Sequence, residues 1–134
     1  MTVVIDCNIF VMCLTSNSPY HIIYKSLING KFNIAVSNDI ILEYEEIIQQ
    51  KYSIATAKTF VSLLSELPNV TFIHPHFQWQ LIESDPEDNK YCDYAIAGQA
   101  AYIITQDRHF DILASIPFPS LAVIGIDNFL EMLI

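Results

Sequence analysis

Five short runs of apolar, largely β-branched residues punctuate the chain at residues 3–5, 32–36, 70–73, 102–105 and 121–124, each separated from the next by helical or turn-rich sequence. A strand that is apolar at successive positions, rather than at every second one, is suited to burial on both faces. Strands of that kind alternating with helices form a mostly parallel sheet covered on either side. The expectation is one α/β domain over residues 1–134, a three-layer α/β/α arrangement around a central sheet of about five strands.

The connecting segments carry helix signals. Residues 20–29 place Ile23 and Leu27 on one face, with Pro19 before them and Gly30 as a stop. Ser37 is placed to cap a helix whose stripe is Ile40, Tyr44, Ile47 and Ile48, and residues 55–67 form a second helix before Pro68. Asp85-Pro86 reads as an N-cap and first turn of a buried, Ala-rich helix running to about residue 101. A short helix after Asp107 and a terminal one from about Asp127 complete the chain.

With 52% hydrophobic and 16% charged residues, the chain belongs with globular proteins rather than disordered ones. The start, MTVVID, lacks the basic region of a signal peptide, and the longest uncharged stretch, residues 112–126, is short for a membrane span and holds Pro117 and Pro119. A cytoplasmic location without membrane contact follows as the expectation. Cys7, Cys13 and Cys92 lack the spacing of a disulfide framework or zinc knuckle and read as reduced, small apolar residues. A net charge of −9 with six Lys and Arg excludes an extended basic surface for nucleic acid, so phosphate binding needs another positive charge, from a divalent metal or a basic partner.

Acids recur where such a sheet places ligands. Asp6 directly follows the first run and Asp107 the fourth, both beyond strand carboxyl ends, although capping a following helix would by itself account for either. Asp93 is followed by Ile96, Ala97 and Ala100 at helical spacing, which directs its carboxylate toward the sheet, where an ionised acid needs donors or a cation. Glu43 borders the apolar stripe of its helix, while Glu45 and Glu46 turn toward solvent. Asp85, Glu87 and Asp88 suit a helix N-terminus, with Asp88 an outer candidate. His74-Pro75-His76 reads as loop sequence. Oxygen-only ligation by Asp6, Glu43, Asp93 and Asp107 favours Mg²⁺ or Mn²⁺, and ions of that kind promote phosphodiester hydrolysis.

Asp6-Cys7-Asn8, the Ser37-to-Glu43 spacing, Asp93-Tyr-Ala-Ile-Ala97 and Thr105-Gln106-Asp107 occur in the order and spacing of the PIN-domain family, which this sequence resembles along nearly its whole length. The segment Asp85 to Lys90 resembles the branch of toxins from bacterial toxin-antitoxin pairs. The resemblance implies a PIN-like fold and a Mg²⁺- or Mn²⁺-dependent ribonuclease, with RNA as substrate and an antitoxin protein as partner; a homodimer is left open. It implies that Asp6, Asp93 and Asp107 ligate metal, with Glu43 as ligand or base and Asn8 and Thr105 orienting the carboxylates. Cys7 stands where the family usually has Thr or Ser, and Gln106 where it usually has Gly.

Two rivals remain. A catalytically inactive PIN-like interaction module accords with the scarcity of basic residues. A phosphotransfer or receiver domain also sets acids at strand ends, but Asp6-Cys7-Asn8 lacks a second Asp and no Lys follows a late strand.

Overall fold

A computed structural model describes residues 1–74, 79, 82, 86–116 and 121–134, without the side chains of residues 86–88. Its five strands are β1 (Thr2–Ile5), β2 (Asn33–Val36), β3 (Val70–Phe72), β4 (Tyr102–Ile104) and β5 (Val123–Ile124). They form one sheet in the order β3-β2-β1-β4-β5, and every pairing is parallel. Val3, Val4 and Ile5 are all fully buried, so both faces of β1 are covered, as the unbroken apolar run requires. The runs at residues 70–73 and 121–124 give edge strands instead. Phe72 is 44% exposed, because β3 has a neighbour on one side only.

Among the described residues, five α-helices lie between strands, α1 (Cys7–Cys13), α2 (His21–Ile28), α3 (Asn38–Lys51), α4 (Ile54–Glu66) and α5 (Pro86–Ala97), with a 3₁₀ helix at Arg108–Ser115, and α6 (Ile126–Leu133) follows β5. Sequence periodicity does not reveal α1, which is only seven residues long and follows β1 without a break. Ser37 caps α3 through the Ile40 N–H at 3.2 Å, and Ser53 caps α4 through the Thr56 N–H at 3.0 Å. Behind β1, Phe10 of α1 packs between Tyr44 of α3 and Phe60 of α4, with ring centroids 4.9 and 4.8 Å away. Helix α5 packs on β1, β2 and β4.

Two helix ends close in the same way with different residues. At the end of α2, the Lys31 N–H donates to the Ser26 carbonyl and the Gly30 N–H to that of Leu27, with Gly30 at φ 74°. At the end of α5, Ala100 donates to Ala95 and Gln99 to Ile96, and the left-handed position falls on Gln99, at φ 51°. This closure ends α5 at Ala97, short of the expected residue 101. It also holds Gly98 against β2, where an added Cβ would lie 3.0 Å from the Ala35 Cβ. Gln99→Gly is therefore expected to stabilise the fold by about 1 kcal/mol, the steric cost of a side chain in the left-handed region. Urea unfolding measures it, and a less stable variant would contradict it.

Candidate functional site

The sheet order makes the site. From β1 the chain steps outward through β2 to β3, then returns to place β4 on the other side of β1, so the connections diverge between β1 and β4. In parallel sheets a crevice opens beyond the carboxyl ends of two such strands. Asp6 leaves β1 there, its N–H bound to the Ile104 carbonyl of β4 at 3.0 Å, and Asp107 follows β4 three residues after Ile104.

Thr105 joins these two acids. Its hydroxyl donates to Asp6 Oδ2 at 2.7 Å and accepts the Asp107 N–H at 3.0 Å. Asp6 occupies the N-cap position of α1, but its side chain makes no capping bond, so capping does not explain it. It is 7% exposed and meets no cation among the described residues. Asp107 does cap: Oδ1 accepts the His109 N–H at 2.9 Å at the start of the 3₁₀ helix, with the His109 ring 3.5 Å away.

Glu43 reaches the crevice from α3. Its two oxygens are held from α5, Oε2 by the Tyr91 hydroxyl and Oε1 by the Lys90 ammonium, each at 2.6 Å. One turn earlier on α3, Asp39 Oδ2 accepts from the Tyr94 hydroxyl at 3.2 Å. Cys7 and Tyr44 feel the charges of both Asp6 and Glu43. Burial first, then the charge of Asp6, with Glu43 adding to it, pushes the Cys7 thiol up to about 12. Burial followed by the same charges holds Tyr44 well above its ordinary value.

Asp93 is placed differently. The side of α5 turned to the core carries Tyr91, Cys92, Tyr94 and Ala95, whereas Ile96 is half-buried and Ala97 exposed, so the helical neighbours of Asp93 do not mark the sheet-facing side. Asp93 is 8% exposed, and the Trp79 N–H donates to Oδ1 at 2.9 Å. Burial raises its pKa above the ordinary 3.8, while the Trp79 hydrogen bond pulls it down. A raised native pKa means that the folded protein binds this proton more tightly than the unfolded chain does. The contribution to stability is complete below the unfolded value and is lost as pH rises through the native one. Asp93→Asn keeps an acceptor for Trp79 and removes this loss. Relative to wild type, its stability should rise with pH from about 4, the ordinary Asp range, and then level off. Urea unfolding across pH measures it, and a pH-independent difference would contradict it.

Asn8 is exposed and makes no side-chain hydrogen bond among the described residues. The Asp88 side chain, Asp85 and most of the His74-Pro75-His76 segment lie outside the described residues. The three cysteines are free, with Cys13 and Cys92 buried and Cys7 half-buried. No helix among the described residues is long and apolar enough to cross a membrane.

Sequence reasoning missed Lys90, Tyr91 and Asp39. Asp39 lies four residues before Glu43, a spacing that sets both acids on one side of α3. It also missed the use of Gln106, whose Oε1 accepts the Ile126 N–H at 2.7 Å and caps α6 from outside. Gly125 permits this approach, since a Cβ there would lie 2.6 Å from that oxygen.

Carboxylates from β1, α3, α5 and the β4 exit suit a hard cation by their chemistry, and Asp6 has acceptor capacity that one hydroxyl does not fill. As placed, they do not close on an ion. Among the described residues, no three His, Cys, Asp or Glu side chains come close enough to hold a metal.

Fold and crevice define an open, all-parallel α/β domain with an acidic site at its topological switch point. The PIN-domain profile matches residues 2–109, from the start of β1 past Asp107, and the chain belongs to this family of nucleases. Among solved structures it is similar to a chain of VapBC2 from Rickettsia felis bound to a DNA fragment from their promoter. That match has 15% identity over 93% of this chain and 98% of the other, with a TM-score of 0.62. It is also similar to the PIN domain of human SMG5, with 9% identity over 98% and 99% of the two chains and a TM-score of 0.57. No curated protein matches the sequence significantly.

Proposed function

We propose that the protein is a Mg²⁺- or Mn²⁺-dependent endoribonuclease, the toxin of a toxin-antitoxin pair acting in the cytoplasm. The observation that carries the reading is the Asp6–Thr105–Asp107 arrangement, in which one hydroxyl sets a nearly buried carboxylate beside the exit of β4. Asp6 and Asp107 would hold the ion, with Glu43 and Asp93 contributing after rearrangement and Asp88 and Asn8 from farther out. Bound there, the metal would polarise a phosphoryl oxygen and lower the pKa of a water. Thr105 fixes the Asp6 carboxylate by its hydrogen bond, and Tyr91 fixes that of Glu43.

A toxin role draws on the similarity to the VapBC2 chain and on charge. An acidic protein with five exposed Lys and Arg suits a basic antitoxin segment better than a long RNA backbone. The test is cleavage of a panel of structured RNAs by freshly purified protein with Mn²⁺ and with EDTA. Cleavage should require the metal. Metal-independent cleavage would contradict the metal-dependent reading, and no cleavage across the panel with Mg²⁺ and Mn²⁺ alike would favour the second reading, an inactive PIN-like interaction module. That reading is supported by the absence of an assembled metal cluster among the described residues.

A further inference from the structure

All six Lys and Arg side chains are described, and five of them, Lys25, Lys31, Lys51, Lys58 and Arg108, are exposed. Lys90 is the exception. Its side chain is 25% exposed and its ammonium lies 2.6 Å from Glu43 Oε1, at the crevice where the chain otherwise gathers acids. Withdrawing an ammonium from water is costly unless an anion meets it, and Glu43 is an anion that meets it here. Lys90 in turn holds one of the two Glu43 oxygens. Tyr91 takes its other oxygen at 2.6 Å, and the neighbouring charges are those of acids. With both oxygens held from α5, Glu43 has no oxygen free of a donor to offer an ion arriving beside Asp6.

We propose that Lys90 is the crevice's own counter-ion, occupying Glu43 in place of a divalent cation and leaving it when such a cation binds. This inference rests on the metal-dependent reading of the site, and it supplies a reason why the acids present do not close on a metal as they stand. Lys90 is then a positioning residue. It holds the Glu43 carboxylate in place at the crevice, and it lowers the affinity for metal by competing for one carboxylate.

Calorimetric titration with MnCl₂ tests it on four proteins: wild type, Lys90→Gln, Lys90→Arg and the double variant Lys90→Gln/Glu43→Gln. Removing the competing charge should tighten Mn²⁺ binding on the order of tenfold in Lys90→Gln. Lys90→Arg should stay near wild type, and the double variant should lose the gain. In the wild type, acetylation of Lys90 by an N-hydroxysuccinimidyl ester, followed by mass spectrometry, should become several-fold faster when Mg²⁺ is added, with the exposed lysines unchanged. That measurement serves if Lys90→Gln does not fold. A purely structural lysine would lower the melting temperature on substitution without changing Mn²⁺ affinity. Equal affinity in wild type and Lys90→Gln, or acetylation indifferent to Mg²⁺, overturns the inference and leaves the nuclease reading standing. No Mn²⁺ binding by any of the four overturns both.

Discussion

Asp6→Asn is expected to lower Mn²⁺-dependent RNA cleavage on the order of 100-fold or more, since losing even an outer hydrogen-bond partner of a metal ligand typically costs about 10- to 100-fold. The effect should be chemical rather than structural. The asparagine oxygen can still accept from the Thr105 hydroxyl, which meets Asp6 at 2.7 Å, and the change removes a nearly buried negative charge that no cation among the described residues offsets. The melting temperature should therefore stay level or rise. Thr105→Val is the companion variant. It leaves every carboxylate in place and removes only the hydroxyl that joins Asp6 to the Asp107 N–H, so its loss should be the smaller, about 10- to 100-fold. Initial rates on one RNA, with thermal melts of the same preparations, decide the matter. Equal activity in Asp6→Asn and wild type would remove Asp6 from the site, and loss accompanied by melting would make it a structural residue.

That Asp6 and Asp107 share an environment was legible in the sequence, because both follow runs that only a buried parallel strand explains, and strand ends in such sheets converge. The order of β4 beside β1 was not legible from the runs themselves, since short apolar strands pair in many ways. Asp93 shows where periodicity misleads. Its neighbours Ile96 and Ala97 suggest a core-facing side, yet α5 ends at Ala97 and its buried side is set by Tyr91, Cys92, Tyr94 and Ala95. The Trp79 N–H that meets Asp93 lies fourteen residues before it, a contact that helical spacing does not record. The clamp on Glu43 was hidden for a related reason. Lys90 and Tyr91 are adjacent on α5 and reach across to α3, a contact between helices that neither spacing records. Gln106 lay in plain view as a departure from the usual Gly, but its partner, the Ile126 N–H, is fixed only by tertiary structure.

The largest stability loss should come from Phe10→Ala, at about 3–5 kcal/mol, the usual cost of emptying a fully buried aromatic site. Phe10 is fully buried, and its ring lies edge-on to Tyr44 and tilted against Phe60, so three elements lose contact together. Those neighbours cannot easily fill the space. Tyr44 is itself fully buried and is held by its hydroxyl, which donates to the Ile5 carbonyl at the end of β1. For a domain of this size the melting temperature should fall by about 10–20 °C. Leu42→Ala, at a side chain 63% exposed, should change stability by less than about 0.5 kcal/mol and serves as the control. Because Phe10 is four residues after Asp6 and its partner Tyr44 braces the residue before Asp6, the cavity also lies directly behind the candidate site. Activity of Phe10→Ala should survive at low temperature and fail on warming, along the variant's own unfolding curve. Asp6→Asn should do the reverse, inactive at every temperature while folded. A Phe10→Ala protein that melts within a few degrees of wild type would mean that α1 is not packed against α3 and α4 as described, and the support proposed for Asp6 would go with it.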